Sequence, residues 1–215
     1  MALVEIQLPE ATVPLPSDVA AFLAEVDDRV DRFMRNHPTW GSGFVPSDFV
    51  TVYHALRAIS ESNLTTGRHL CEWGSGFGVV AMLAEMVGFQ ACGIEIDRDL
   101  VDQAHALAYD SEFAAEFVHG SFIPRGSEAC AEEAYADNDA GVVWLVTETD
   151  DAYDELGLDP DDFDIIFAYP WPGEENVIDR LFDRCAADGA LLLTYGQCNS
   201  VRLQRKAGSA KRWKR

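Results

Sequence analysis

Seven residues, Glu72-Trp73-Gly74-Ser75-Gly76-Phe77-Gly78, constrain this chain more than any others. They join a strand candidate, Arg68 to Trp73, to a helix candidate reaching from about Gly78 to Val87. Glycines at every second position permit a sharp turn and let a ligand lie against bare backbone. A strand that turns tightly into a helix begins a βαβ unit. The alternation then repeats. Strands are expected at Ala91 to Ile96, Glu116 to His119, Asp164 to Tyr169 and Ala190 to Tyr195, and helices at about Asp99 to Tyr109 and Glu174 to Ala187. Short apolar strands alternating with amphipathic helices predict an α/β fold, a doubly wound, mostly parallel sheet with helices on both faces. Only about 20 residues follow Tyr195, so the C-terminal end is short. Val201 to Lys206 is expected to return antiparallel along the sheet edge.

Before the first strand, residues 3–16 contain Pro9, Pro14 and Pro16 and read as an extended lead-in. Ser17 offers an N-cap to a helix whose apolar residues, Val19, Phe22, Leu23, Val26, Val30, Phe33 and Met34, keep helical spacing. A loop over 36–46 contains Gly41-Ser42-Gly43, and Ser47 is expected to cap a helix from Asp48 to Ile59. Residues 123–162 are acidic and less regular, with a candidate strand at Val142 to Val146. The chain therefore divides into a lead-in and helix (1–46), a main domain (47–206) and a basic tail (207–215).

Charge narrows the partners. The net charge is −21, and no lysine precedes Lys206. All 37 acidic residues fall within the first 200 positions against 9 arginines, and the last 15 positions hold the other 7 basic residues. Such a body repels phosphate backbones, so nucleic acid is not the expected partner. The blander reading, acidity for solubility alone, stays open. Five scattered cysteines without a Cys-x-x-Cys pair, no signal-like start and no apolar run of membrane length predict reduced thiols, a cytoplasmic location and no membrane association. The histidines lack metal-ligand spacing, so no metal is expected. The oligomeric state is not legible.

The glycine loop departs from the dinucleotide fingerprint, whose third glycine falls one position later; Val79 stands there. No basic residue is nearby to offset a pyrophosphate. Glu72 precedes the first glycine by two positions and suits a ligand with a cationic end. Glu95, 17 residues past Gly78, ends the second strand, where an acid can accept from both hydroxyls of a ribose. The third strand ends at His119-Gly120-Ser121-Phe122, a polar group and an aromatic that suit the flanks of a planar base.

The acid-Gly-x-Gly-x-Gly loop, with an acid after the next strand, resembles the class I, Rossmann-like, S-adenosylmethionine-dependent methyltransferases over about Phe44 to Tyr195. The resemblance implies S-adenosyl-L-methionine as cofactor, a ligand carrying both an ammonium and a sulfonium. It implies a cofactor site of Glu72, Gly74, Ser75, Gly76, Gly78, Glu95, Ile96, Ser121, Phe122 and Tyr169. The family often carries an acid where Ser121 stands.

After the fourth core strand comes Tyr169-Pro170-Trp171-Pro172-Gly173-Glu174-Glu175. Amino-methylating members carry an Asp/Asn/Ser-Pro-Pro-aromatic motif at this place, and Tyr-Pro-Trp-Pro is similar without matching position for position. It implies Tyr169, Pro170 and Trp171 as the candidate catalytic residues. A rigid packed turn is the competing reading, and Glu174 and Glu175 read equally as helix-dipole partners. Val45-Pro46-Ser47 resembles the segment before the first motif in small protein-lysine methyltransferases, with Trp40 and Phe44 then lining an acceptor pocket. The acceptor is expected to be a nitrogen on a protein side chain or small molecule. A non-catalytic binder of the cofactor and an aminopropyltransferase-like enzyme on the same fold are the alternatives.

Overall fold

Among the described residues, seven strands form one sheet in the order β1-β7-β6-β5-β2-β3-β4. The strands are β1 (Leu3–Ile6), β2 (His69–Trp73), β3 (Gln90–Glu95), β4 (Glu116–His119), β5 (Ile165–Ala168), β6 (Leu191–Gly196) and β7 (Ser200–Lys206). The computed structural model describes residues 3–9, 13–37, 44–136, 150–196 and 199–208. Pairs among β2, β3, β4, β5 and β6 are parallel, and β7 runs antiparallel to both β6 and β1. The mostly parallel sheet and the antiparallel return after Tyr195 thus agree with the sequence reading.

Side chains alternate across each strand, and the alternation sorts the core into two layers. Leu70, Ile165, Phe167, Leu191 and Leu193 pack on one face with α1 (Ser17–Asn36), α2 (Phe49–Glu61), α3 (Val79–Met86) and α4 (Arg98–Asp110). Cys71, Trp73, Ile166, Ala168 and Leu192 pack on the other with α5 (Glu128–Ala136), α6 (Ala152–Leu156) and α7 (Glu175–Cys185). Buried on both faces, β5 carries no polar residue at all, as parallel strands require. Helix α3 is buried from Val79 through Ala84, which explains a hydrophobic run with no polar stripe.

Several local expectations change. The lead-in contains β1, whose partner β7 is too distant in sequence for local patterning to reveal. Helix α1 begins at Ser17 itself; Pro16, in extended conformation, is the N-cap residue and its carbonyl accepts from Ala20 N. Asp48, not Ser47, caps α2, accepting from Val50 N and Thr51 N at 3.1 Å each and from the Thr51 hydroxyl. A charged acceptor with two oxygens satisfies more of the helix start than a hydroxyl can. The stretch 123–162 contains α5, α6 and a short 3-10 helix, Pro160–Asp162. The candidate strand at Val142 to Val146, the Gly41-Ser42-Gly43 loop, Trp40, Cys198 and most of the basic tail lie outside the described residues. The four described cysteines are free thiols. Among the described residues no helix is long and apolar enough to cross a membrane.

Candidate active site

Strand β2 has β3 on one side and β5 on the other, so successive strands leave it in opposite directions. Loops at the carboxyl ends diverge at such a point and leave a crevice. A cavity of about 450 Å³ lies there, within the roughly 300–1,000 Å³ usual for small-molecule sites. The ends of β2, β3, β4 and β5 all reach it, through Trp73, Glu95, Gly120 and Ala168.

The glycine loop forms one wall. Gly74 and Gly76 line the cavity, both with positive φ. A Cβ on Gly74 would meet nothing within 4 Å, so the loop there faces open space. Gly74 N and Ser75 N both donate to Ile94 O, which ties the loop to β3. Ser75 and Gly78 do not line the cavity. Ser75 is buried beneath the loop, its carbonyl accepting from Gly78 N at 2.7 Å. Gly78 is the N-cap residue of α3.

Glu72 is also absent from the cavity wall. Strand alternation puts it on the same face as Leu70, under α3, and its carboxylate accepts from Ala81 N at 2.9 Å. It caps the helix from below. Burial pushes its carboxyl well above the ordinary value, against the pull of the Ala81 and Val80 amides, and nearby Glu95 adds to the rise. The folded chain therefore holds this proton where the unfolded chain has released it. Stability from this group is complete below the ordinary carboxylate range and declines as pH rises toward the raised folded value. Glu72→Gln keeps an oxygen for Ala81 N and removes the need to take up a proton on folding. It is expected to raise Tm at about pH 8 by roughly 2–4 °C per kcal/mol relieved, the gain fading near about pH 4. Thermal unfolding of both proteins across this range checks the sign.

Glu95 does face the cavity, at 7% exposure. One oxygen accepts from Gly76 N at 2.8 Å and the other from Asp97 N at 2.9 Å. The Ile96 amide acts on the same carboxylate, and of its roughly four lone-pair sites at least one is left over. Burial raises its carboxyl from the ordinary value while the amides of Asp97 and Gly76 oppose the rise. Ile96 lines the wall beside it and is half exposed. Asp97, not singled out from sequence, also lines the cavity and caps α4 through Asp99 N and Leu100 N.

Beyond β4, Ser121 and Phe122 line the cavity as expected. The Ser121 hydroxyl accepts from Ile123 N at 3.2 Å. Ser121 N donates to Asp150 at 2.9 Å, and the second Asp150 oxygen accepts from Ala152 N. The turn is thus braced by an acid from 29 positions further on, which no local pattern could reveal. Phe122 stacks on Trp73, with ring centroids 5.2 Å apart and planes 9° apart. Trp73 lies within the loop motif, and its aromatic ring is the sequence signal for this contact.

Tyr169, Pro170 and Trp171 meet the others at this cavity, together with Phe44. Tyr169 packs edge-on against Tyr195, and burial raises its phenol, keeping it protonated. Phe44 leans on Phe77 and crowds Gly76, whose ideal Cβ would lie 2.6 Å from the Phe44 ring. Both glutamates after the turn hold it from within. Glu174 accepts from Trp171 N at 3.3 Å and Glu175 from Gly173 N at 2.9 Å. Glu174 additionally lines the cavity and is only 5% exposed.

This architecture is the class I methyltransferase fold. An RNA methyltransferase from Salinibacter ruber, in complex with S-adenosyl-L-homocysteine, superposes with a TM-score of 0.51 at 15% identity, covering 78% of this chain and 97% of that one. A methyltransferase from Geobacter sulfurreducens superposes equally well, at 16% identity over 90% of this chain and 92% of that one. In sequence, the ribosomal protein L11 methyltransferase of Thermus thermophilus is 33% identical over 81 residues, 38% of this chain. The chain spans about a third of that protein's length. No family model matches. With an RNA methyltransferase and a ribosomal protein methyltransferase both among these proteins, the fold does not choose the acceptor, and the expectation against nucleic acid gains no support from them.

Proposed function

We propose that this protein is an S-adenosyl-L-methionine-dependent methyltransferase that methylates a nitrogen on a protein side chain or a small molecule. The observation that carries the reading is the buried Glu95 carboxylate, which faces the switch-point cavity while its amide partners hold the glycine loop beside it. A diol donating to its remaining acceptor capacity would lie between that carboxylate and bare loop backbone. The open space over Gly74 fits the methionine end, and the Ser121–Phe122 turn fits the base. Glu72 and Ser75 support this site through α3 and the loop without touching the ligand.

When bound, adenosylmethionine supplies a methyl carbon already activated by its sulfonium. The chain's residues have to align the acceptor and keep water out. Pro170 and Pro172 fix the turn. Trp171 and Tyr169 present aromatic faces to the acceptor, and Phe44 covers the glycine loop.

Calorimetric titration with adenosylmethionine and with adenosylhomocysteine is expected to show saturable binding of both. Absence of binding by either overturns the proposal. Labelled methyl transfer to a cell-extract fraction separates an enzyme from a non-catalytic binder.

A further inference from the structure

We infer that the cofactor's two ribose hydroxyls are divided between two acids, one hydroxyl to Glu95 and the other to Asp97. This rests on the methyltransferase reading above and adds a binding residue to the same cavity. Counting acceptors leads to it. The amides of Gly76 and Asp97 donate to the two Glu95 oxygens at 2.8 and 2.9 Å. The Ile96 amide acts on the same carboxylate. A carboxylate offers about four lone-pair sites, so three backbone donors leave about one. A vicinal diol brings two O–H donors, and the second needs another acceptor.

Asp97 supplies that acceptor. It lines the cavity beside Glu95 and Ile96. The Glu95 carboxylate folds over the Asp97 backbone through its bond to Asp97 N, which brings the two acids together at the tip of β3. They are close enough that Asp97 pushes the Glu95 carboxyl upward. A pair of O–H donors set between the two carboxylates would serve both through charge-assisted hydrogen bonds. One Asp97 oxygen, Oδ1, is committed to α4, accepting from Asp99 N at 2.9 Å and Leu100 N at 3.4 Å. The other, Oδ2, has no partner among the described residues. Arg98, the next residue, turns instead to His119 Nδ1 at 3.3 Å. The two capping bonds fix the Asp97 side chain, so Oδ2 is presented with little rotamer entropy left to lose on binding.

Asp97→Ser tests the assignment. Serine keeps a capping oxygen for α4 and has no second oxygen for the diol. The ligands are adenosylhomocysteine and its 2′-deoxy and 3′-deoxy analogues, each titrated calorimetrically into the full chain. Asp97→Ser is expected to weaken adenosylhomocysteine binding about tenfold or more, as for a lost charged hydrogen-bond acceptor. On the analogue lacking the hydroxyl that Asp97 receives, the loss should shrink to less than about twofold, while it persists on the other analogue. A loss of equal size on all three ligands would reduce Asp97 to a support for α4. No loss on adenosylhomocysteine would leave the diol to Glu95 alone, and a loss that disappears on both analogues would give both hydroxyls to Asp97. Each of these outcomes overturns the inference and leaves the methyltransferase reading standing. Failure of adenosylhomocysteine to bind wild type removes that reading, and this inference with it. Should Asp97→Ser not fold, Asp97→Asn is read in the same way, because its amide oxygen caps as well and its amide nitrogen cannot accept.

Discussion

Gly78→Ala is expected to destabilise the protein by about 2–5 kcal/mol, combining the cost of a left-handed alanine with that of overpacking. Gly78 sits at φ 70°, and an ideal Cβ would fall 2.2 Å from the Phe117 ring. That ring cannot swing aside, because Phe117 is itself buried in β4 under α3 and α4. Gly74 provides the control. It has the same φ of 70° but open space around its Cβ position, so Gly74→Ala should lose only the backbone contribution, about 1–2 kcal/mol. Urea denaturation of the two variants measures the difference. A Phe117→Ala background should bring the Gly78→Ala cost down toward that of Gly74→Ala, since the two side chains would no longer collide. Equal costs for both glycines in the parent protein would show that α3 does not pack as described.

Glu95→Ala is expected to weaken adenosylhomocysteine binding by about 1–3 kcal/mol, the range for losing a charged hydrogen-bond acceptor. The loss has two sources. The diol loses its partner, and Gly76 N loses the oxygen at 2.8 Å that holds the glycine loop. Glu95→Gln separates them, because the amide oxygen can still receive one backbone donor. Gln should restore part of the affinity and most of the stability. Calorimetry on the three proteins checks the order. An unchanged affinity in Glu95→Ala would remove Glu95 from the ligand site.

The parts legible in sequence are those in which local chemistry acts alone. Parallel strands buried on both sides, such as Ile165–Ala168, appear as unbroken apolar runs. The glycine loop, Glu95 and the Tyr169–Pro170–Trp171 turn each announce themselves by composition, and all reach one cavity. Direction was harder to read than position. Glu72 has the spacing of a ligand acid, yet the parity of β2 turns it under α3. Long-range partners were not readable at all. Asp150 braces Ser121 across 29 positions, and β1 becomes a strand only because β7 is there to receive it.

That last pairing has a kinetic consequence. Leu3 lies opposite Lys206, so the first strand of the sheet pairs only with a strand that comes after all the others in sequence. During synthesis β1 has no template until β7 has been added. Loop closure of this length is entropically costly and is recovered only when both partners are present. β1 is therefore the last strand to be laid down. As an edge strand of four residues, like β4 at the other edge, it should fray before the central strands, so its amides should exchange with solvent through local opening while those of β2 and β5 wait for global unfolding.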